Sequence, residues 1–505
     1  MIRCLSTLLF IAYCLLPVVG NAQRITYTEP LANDNRDINF EIIGKVKSNI
    51  LVFKNIRFKY AISVYNDSMV LKDKKDLDII EGKTFNVDFI TYPDFFYLIY
   101  QYQRKRIVYC MAVKLDAEGN MIEKPVKLDS TSINVFGDNK IYSVINSEDK
   151  KFISIFKIQK KNERLNFSTL LFNNELKFIN KADYILPFNE KKDIYNNFLL
   201  DNEGNFVFTR STTSGNADYS SQMQLYVKSV AADTLMKHDI DLNEKYLDEI
   251  KLKIDNVNKR YLINSFYYKQ KRGSIDGIFS FIWDKQGDSL FVNRFLYLDE
   301  EIRALAKKNA SIRTAFDNFF IKNIIVKKDG GFILIAEDFY TISQGYNNNN
   351  IWNRWDYFYS PYSNPYGYYY DPFYRSFYNN NNAPNTKYIY NSLLAISFDS
   401  KAVAQWSRII EKEQFDNDND NYLSFVNFNT GGQIHFFFNL LERRKQLLSD
   451  YSITADGSVT RNATFRKLDE GYEFMPQFGK QVGARQIIIP CTFRNSLICF
   501  AKIDY

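Results

Sequence analysis

Short apolar runs separated by polar turns recur along the whole chain. The unit is an apolar run, a turn containing Asp and Gly, and a second apolar run, as in residues 111–128 around the turn at 116–119. The same unit recurs at residues 198–210, 279–298, 324–336 and 451–465. An Asp at the first turn position accepts hydrogen bonds from the following backbone, and Gly takes the positive φ that closes the turn. The pattern therefore predicts repeated β-hairpins.

Grouping the runs in fours divides the chain into quartets of strands. The groups are residues 39–77, 87–128, 140–186, 194–242, 247–298, 319–410 and 422–466. A last group, residues 472–505, has only three runs, and residues 24–28 can supply its fourth strand. Four strands in somewhat more than forty residues are typical of a propeller blade, and a closed ring leaves only short protected edges. We therefore predict an all-β fold, a β-propeller of eight blades closed by an N-terminal strand, with seven blades as the next choice.

An outer-membrane β-barrel is the alternative fold. Apolar residues alternate from position 497 down to the terminal Tyr505, as in the last strand of such a barrel. Many runs are apolar on both faces, however, for example residues 436–438 and 487–489. A barrel wall instead alternates apolar residues with polar ones.

One helix is predicted, from Asp299 as the N-cap to about Lys308. Its apolar residues Ile302, Leu305 and Ala306 would share one face. We expect this helix to pack outside the sheets, between two blades.

The first 22 residues have the pattern of a secretory signal peptide. Arg3 supplies the positive charge, residues 8–19 are largely apolar, and Gly20 and Ala22 are small enough for cleavage after Ala22. Acylation at Cys14 is the alternative, although the bulky residue before it does not suit that reaction. No later stretch approaches the roughly 18 apolar residues of a spanning helix. We expect residues 23–505 to form one exported domain with no transmembrane helix, in the periplasm, at the cell surface or outside the cell.

Three cysteines remain after cleavage, which is too few for a disulfide framework. Cys110 is expected to be a buried apolar residue. A turn at residues 494–496 would place Cys491 and Cys499 directly opposite each other. They are then either two buried thiols or a disulfide formed in an oxidising compartment.

Composition and charge exclude several classes of function. Aromatic residues make up 16% of the chain, which favours strands, and the formal net charge of +7 falls to +6 when Arg3 is removed. This charge is spread too thinly for a nucleic-acid interface. The two histidines, His238 and His435, belong to different quartets. The chain therefore offers too few histidines in one place to favour a zinc site or a Ser-His-Asp triad. The sequence contains no phosphate-binding or dinucleotide-binding glycine motif, and we expect no cofactor.

The most unusual segment is an insertion at residues 345–385, inside the sixth quartet. Insertions of this length in a compact domain are usually functional or disordered. Aromatic rings with amide neighbours can stack on sugars or form a protein-binding surface. Contact with a protein, contact with a glycan and a low-complexity expansion without function all remain open. The candidate binding residues are Trp352, Trp355, Tyr357, Tyr359, Tyr362, Tyr366, Tyr368, Tyr369 and Tyr370.

An Asp/Asn run at residues 416–421 is a candidate calcium site. Asp416, Asp418 and Asp420 offer carboxylates at alternate positions, as at the start of an EF-hand loop. Asn421 and Asn427 stand where that loop needs Gly and a bidentate Glu, so the match is partial. A solvated acidic loop is the alternative, and we expect calcium to have no structural role.

Several blade segments resemble uncharacterised exported β-propeller-like proteins of Bacteroidetes-type bacteria. The segments that carry the resemblance are Ile141-Tyr142-Ser143-Val144, Phe152-Ile153-Ser154-Ile155, residues 170–178, Ile185-Leu186-Pro187-Phe188, Asp201-Asn202-Glu203-Gly204, residues 406–414 and residues 421–439. The likeness covers most of the chain beyond the signal segment. Its motifs are structural, so it implies the fold and export but no activity.

These features favour an exported, non-enzymatic propeller that acts as a binding or scaffold module in the cell envelope. Its partner would be an envelope protein or a glycan. The alternative is a propeller enzyme acting on glycans, either a glycoside hydrolase or a lyase. Such a hydrolase needs two carboxyl groups facing each other across a pocket.

Overall fold

The computed structural model of the chain describes residues 23–30, 38–56, 59–80, 83–133, 141–213, 219–271, 273–306, 314–343, 386–417, 419–442, 445–462, 471–494 and 497–505. The expected signal segment and the insertion lie outside these residues. The described strands form eight antiparallel blades in chain order. The fourth and fifth blades are joined by a single residue pair, Ser220 with Leu247.

The first four blades each contain four consecutive strands. Blade 1 contains β2 (Ile38–Val46), β3 (Asn49–Ile56), β4 (Lys59–Tyr65) and β5 (Leu71–Asp76), and blade 2 contains β6 (Lys83–Thr91), β7 (Phe95–Arg104), β8 (Ile107–Asp116) and β9 (Val126–Ser132). Blade 3 contains β10 (Tyr142–Asn146), β11 (Phe152–Lys161), β12 (Arg164–Asn173) and β13 (Phe178–Pro187), and blade 4 contains β14 (Asp193–Leu200), β15 (Phe206–Thr213), β16 (Ser220–Lys228) and β17 (Leu235–Ile240).

The last four blades include one extra strand and one strand from the N-terminus. Blade 5 contains β18 (Tyr246–Asp255), β19 (Arg260–Tyr268), β20 (Gly277–Asp284) and β21 (Ser289–Tyr297), and blade 6 contains β22 (Phe319–Val326), β23 (Phe332–Ser343), β24 (Thr386–Phe398), β25 (Ala404–Ile410) and the short β26 (Gln414–Asp416). Blade 7 contains β27 (Val426–Asn429), β28 (Gln433–Glu442), β29 (Lys445–Thr454) and β30 (Val459–Arg461), and blade 8 contains β31 (Tyr472–Phe474), β32 (Lys480–Gly483), β33 (Gln486–Phe493), β34 (Leu497–Asp504) and β1 (Arg24–Tyr27).

The N-terminal strand completes the last blade. β1 pairs antiparallel with β34, from Arg24 opposite Asp504 to Tyr27 opposite Ala501. The prediction of eight quartets closed by residues 24–28 is therefore confirmed. The strands form separate sheets rather than one closed sheet.

Each blade buries its two faces against its neighbours. Seven apolar clusters lie between successive blades, from the cluster of Ile43 and Phe96 between blades 1 and 2 to that of Phe437 and Ile489 between blades 7 and 8. An eighth cluster joins Phe40, Ile50 and Tyr65 of blade 1 to Ile488 and Phe500 of blade 8. This cluster closes the ring. Neighbouring blades cover both faces of every sheet, which explains the strands that are apolar on both faces.

The connections divide the ring into two edges. The first strands of neighbouring blades contact one another around the centre. In each blade the first-to-second and third-to-fourth turns lie at one edge, which we call the turn edge. The second-to-third connections and the linkers between blades lie at the other edge, which we call the insertion edge because residues 344–385 join β23 to β24 there.

Four of the five predicted Asp-Gly turns contain a glycine with positive φ, whereas in the turn after β20 the positive φ is at Asp288 and not at Gly287. Asp116 Oδ1 accepts the backbone N–H groups of Glu118 and Asn120 at 3.0 and 2.8 Å, and Gly119 has a φ of 78°. Asp201 and Gly204 repeat this arrangement in blade 4. These turns are stabilised locally, so the hairpins can be recognised from sequence.

The predicted helix, α1 (Glu300–Ala306), lies between blades 5 and 6. Asp299 Oδ1 accepts the Ile302 N–H at 3.0 Å, which confirms the N-cap. The assignment of Leu305 to the packed face is wrong, because Leu305 is 58% exposed. Arg303 is buried instead, and its guanidinium donates to the Leu298 and Ile275 carbonyls at 2.7 Å each. Within the described residues, no helix is long and apolar enough to span a membrane.

Candidate functional site

The nine aromatic candidates of the insertion, like Asp418, lie outside the described residues. The chain is described up to Ser343 and again from Thr386. The described part of the candidate site therefore consists of the strands that carry the insertion and the side chains that pack against these strands.

Two long strands lead to and from the insertion. β23 and β24 have 12 and 13 residues and pair as far as Ser343 opposite Thr386. Their neighbours stop earlier, since β22 pairs only up to Asp338 and β25 only up to Leu393. We call residues 339–343 and 386–392 the stem. β-branched and aromatic residues dominate it, which favours the extended strand, and β26 pairs with one side of it.

An aromatic cluster supports the base of the stem. Phe320, Phe339, Tyr390 and Leu423 are buried together, with Tyr388 packed against them. The ring centroids of Phe339 and Tyr390 are 4.4 Å apart, and those of Phe320 and Phe339 are 6.0 Å apart. Because these side chains come from β22, β23, β24 and the linker before β27, the cluster attaches the stem to the ring.

A buried ion pair stands beside this cluster. The side chains of Glu337 and Lys412 are both 0% exposed, and Lys412 Nζ lies 2.8 Å from Glu337 Oε1. Ser424 Oγ donates to Glu337 Oε2 at 2.7 Å, and Lys322 Nζ lies 3.4 Å from the same oxygen. Lys412 also donates to Gln414 Oε1 at 2.7 Å. One carboxylate therefore faces two ammonium groups.

The surroundings of Lys412 change its acidity. Burial lowers the pKa of the Lys412 ammonium, and the attraction of Glu337 only partly opposes this effect. The ammonium groups of Lys412 and Lys322 each lie 5.6 Å from the centroid of the Tyr390 ring, where the ring face attracts cations. The ion pair thus fixes the linker after β25 against the base of the stem.

The Asp/Asn run lies alongside the stem. Asp416 is opposite Tyr388 in the β24–β26 register, and Asp416 Oδ1 accepts the Asn419 N–H at 3.1 Å. Asp420 Oδ2 accepts the Tyr390 hydroxyl at 2.8 Å. The acidic run therefore lies against the stem, the strands that lead to and from the insertion. Among the described residues, no group of three or more His, Cys, Asp or Glu side chains could hold a metal ion, and the calcium site stays a prediction.

A second carboxyl group lies near this run. Burial, together with the negative charge of Asp416, raises the pKa of Glu473. Glu473 is on β31, the first strand of blade 8, opposite Thr492, which hydrogen-bonds Tyr422 at 3.2 Å. The two carboxyl groups come from blades 6 and 8. A glycan-cleaving enzyme needs two carboxyl groups, one of which stays protonated.

Another buried carboxylate connects Gln23 with Tyr505. Asp450 accepts hydrogen bonds from His435 Nδ1 at 3.0 Å, Gln23 Nε2 at 2.9 Å, Asn462 Nδ2 at 2.8 Å and the Tyr505 hydroxyl at 2.5 Å. His435 is 4% exposed. This group is structural, since all its members are held by one another.

Two other buried carboxylates are neutralised by cations. Both oxygens of Asp193 accept hydrogen bonds from Arg210 Nη2 at 3.0 Å, and Asp201 Oδ2 lies 2.5 Å from Lys285 Nζ. Each of these carboxylates therefore has a basic partner within the protein.

Sequence reasoning missed Glu337, Lys412 and Ser424. The available signal was Glu337, a charged residue within the apolar run of residues 333–340. A carboxylate in the middle of a buried strand requires a partner, because an isolated buried charge is very costly. The sequence could not identify Lys412 as the partner of Glu337, because the two residues are 75 positions apart along the chain.

The similarities between this chain and known proteins concern the fold and not the candidate site. No protein-family model and no curated protein matches the chain. Among solved structures, the WD40 domain of SCAP from fission yeast is similar at 9% identity, with a TM-score of 0.39 over 95% of this chain and 98% of that one. An ulvan lyase, a polysaccharide lyase, is similar at 10% identity with a TM-score of 0.37, over 82% and 90% of the two chains.

Prolyl oligopeptidase B from Galerina marginata is similar at 8% identity with a TM-score of 0.40. The similarity covers 92% of this chain and 56% of that one. The names of the three proteins describe a WD40 domain, a polysaccharide lyase and a prolyl oligopeptidase. The propeller fold of this chain therefore rests on its own sheets, and its function must be argued from its own residues.

Proposed function

We propose that the chain is an exported, non-enzymatic binding or scaffold module of the cell envelope, which engages its partner at the insertion edge. The partner is an envelope protein or a glycan. The observation that carries this proposal is the stem, which extends beyond both neighbouring strands and has its own supports. Loops placed on a rigid scaffold are where binding residues concentrate.

The supports of the stem cost folding free energy, and a binding role for the stem would explain why they are present. The Glu337–Lys412 pair requires desolvation of two charges, which attraction between them only partly offsets. A simple surface loop needs no such base. The buried carboxylates at Asp193, Asp201 and Asp450 all have basic or hydrogen-bonding partners, as expected of structural groups.

The test is replacement of residues 346–384 by a short Gly/Ser turn. We expect the β-sheet circular dichroism and cooperative melting to persist, because loop length affects closure entropy only weakly. Binding to a glycan array and to purified envelope proteins should be lost. The control variant Val257→Ser removes a 76% exposed side chain at the turn edge and should bind as the wild type does. Retained binding by the shortened protein would refute this placement of the site.

Export is tested separately. N-terminal sequencing of the mature protein should begin at Gln23, and the protein should be recovered from the periplasm, the cell surface or the medium without detergent. A mature protein that retains residues 1–22 would contradict the proposed route.

The second candidate function is cleavage of glycans, favoured by the raised pKa of Glu473, which results from burial and from the charge of Asp416. The wild type should be incubated with neutral and acidic polysaccharides while new reducing ends and unsaturated uronates are measured. Our proposal predicts no turnover. Turnover that falls at least about a hundredfold in Glu473→Gln, the loss expected for a general acid, would establish the enzyme instead.

A further inference from the structure

Two lysines from distant blades converge at the turn edge of the ring, opposite the insertion. Lys480 of blade 8 donates to the Ile42 and Ile43 carbonyls of blade 1, at 2.9 and 3.2 Å. Lys150, in the first turn of blade 3, donates to the Thr91 carbonyl of blade 2. Four blades therefore contribute to one place beside the central first strands.

Thr91 connects the two lysines. Its hydroxyl donates to the Ile43 carbonyl at 2.8 Å, so this carbonyl is shared by Thr91 and Lys480. The approach depends on Gly44, whose φ of 137° strongly favours glycine and where the Cβ of any larger residue would lie only 3.3 Å from Thr91 Cγ2. The bulge at Ile43 and Gly44 in β2 produces this geometry.

The positive charges of this pair are not neutralised by an ion pair. Among the described residues, neither Lys150 Nζ nor Lys480 Nζ lies within 4.0 Å of a carboxylate. Burial lowers the pKa of Lys480, and the attraction of Glu41, which lies beyond ion-pair distance, only partly opposes this effect. The nearest acidic residue to Lys150 in sequence, Asp149, accepts Ser147 Oγ at 2.7 Å and pairs with Lys151 at 3.2 Å.

Each ammonium group keeps donors for a further acceptor. An ammonium has three N–H donors, of which Lys480 uses two and Lys150 uses one on backbone carbonyls. Lys480 is exposed as a residue, although its ammonium group lies among protein atoms that desolvate it. Burial lowers the pKa of Lys150, and the charge of Lys480 lowers it further.

We propose that Lys150 and Lys480 form a binding site for an oxyanion, a carboxylate, sulfate or phosphate group. An anion held between them would accept the remaining N–H donors and remove the repulsion of the two cations. The site lies at the opposite edge from the insertion and does not rest on the proposed function. The anion comes either from an acidic saccharide or from a free inorganic ion.

The test is calorimetric titration with sodium sulfate, sodium phosphate and sodium glucuronate, at constant ionic strength set by sodium chloride. The proteins are the wild type, Lys150→Gln, Lys480→Gln and the control Lys328→Gln, which changes an exposed lysine at the same edge. We expect saturable binding to the wild type and the control, weakened at least about tenfold in both site variants, as each loses a charge-assisted bond. Tighter binding of glucuronate than of the inorganic ions would assign the site to an acidic saccharide, and the reverse order to a free ion.

A second measurement keeps the proposal testable if a variant does not fold. Wild-type protein is labelled with an amine-reactive reagent, and the modified lysines are identified by mass spectrometry. The anion that binds should protect Lys150 and Lys480 while Lys328 reacts as before. Equal affinity in all four proteins, absence of saturable binding, or protection of neither site lysine would overturn the proposal.

Discussion

Lys54 shows how single side chains adjust to the crowded interfaces between blades. It is 3% exposed and lies between blades 1 and 8, where Nζ donates to the Tyr65 hydroxyl at 3.0 Å and stands 5.4 Å from the centroid of Phe500. Burial, together with the positive charge of Lys74, lowers the pKa of Lys54 to about 8. The charged form is therefore less stable in the folded protein than in the unfolded chain.

This shift predicts a pH-dependent stability. Between about pH 8 and the ordinary lysine value of 10.5 the unfolded chain binds more protons, so the wild type gains stability as pH rises through that window. Below pH 8 the full penalty, on the order of 3 kcal/mol, destabilises the wild type. Lys54→Met should therefore be more stable near neutral pH, and its advantage should shrink towards pH 10.

Urea unfolding at several pH values measures the Lys54 effect. Lys59→Met is the control, because Lys59 is exposed at the start of the next strand. A difference between Lys54→Met and the wild type that does not change with pH would contradict the prediction.

The Glu337–Lys412 pair predicts a different mutational pattern. Glu337→Leu leaves Lys412 buried without its carboxylate and should lower the free energy of unfolding by about 3–5 kcal/mol. Lys412→Met leaves Glu337 with Lys322 and Ser424 as partners and should therefore cost less. The double variant should lose much less than the sum, because no buried charge is left from the pair. Urea unfolding of the four proteins gives the coupling energy, with Lys328→Met as an exposed control. Additive losses would show that the two side chains do not act as a pair.

At the scale of elements, strands were predictable and their contacts were not. Apolar runs and Asp-Gly turns are local features, which explains why turns such as Asp116–Gly119 were found from sequence. Burial of Arg303 in α1 depends on carbonyl groups of the Ile275 loop, which periodicity cannot reveal. The meeting of the acidic run with the stem likewise depends on β26 pairing with β24.

The acidic run permits a prediction about calcium. Asp416 binds the Asn419 backbone and Asp420 binds the Tyr390 hydroxyl, so both carboxylates already have protein donors. Melting curves in excess chelator and in millimolar calcium should therefore superimpose, since a ligand bound only by the native state raises stability by mass action. A calcium-dependent rise in melting temperature that disappears in Asp416→Asn would show that the run holds the ion.

At the scale of the whole molecule, the blade count was predictable because it follows from repetition. Each quartet is a sheet that must bury two faces, and eight such units cover one another only when the last contacts the first. Cys491 and Cys499 were also placed correctly, opposite each other with their sulfur atoms 3.0 Å apart. The lysine pair at Thr91 could not be predicted, because blades 8 and 3 meet there only through closure of the ring.

Closure of the ring gives the last prediction. β1 contributes four residue pairs to β34, Tyr27 stacks on Tyr472 at 4.2 Å, and Thr28 exchanges hydrogen bonds with Phe500 at 2.9 and 3.0 Å. Deleting residues 24–30 would expose the edge of β34 and part of the cluster between blades 7 and 8. We therefore expect the melting temperature to fall by several degrees, which corresponds to a few kcal/mol.

A peptide with the sequence of residues 23–30 should restore the lost stability, because the vacated edge can pair with an added strand. The matched control is Arg24→Ala, which changes an exposed side chain while keeping the backbone pairing. If the truncated protein melted at the wild-type temperature, or if the peptide had no effect on a destabilised truncation, β1 would not be what holds blade 8 closed. Restoration by the peptide would instead show that the lost stability came from the pairing of β1 with blade 8, because no other part of the chain would have been changed.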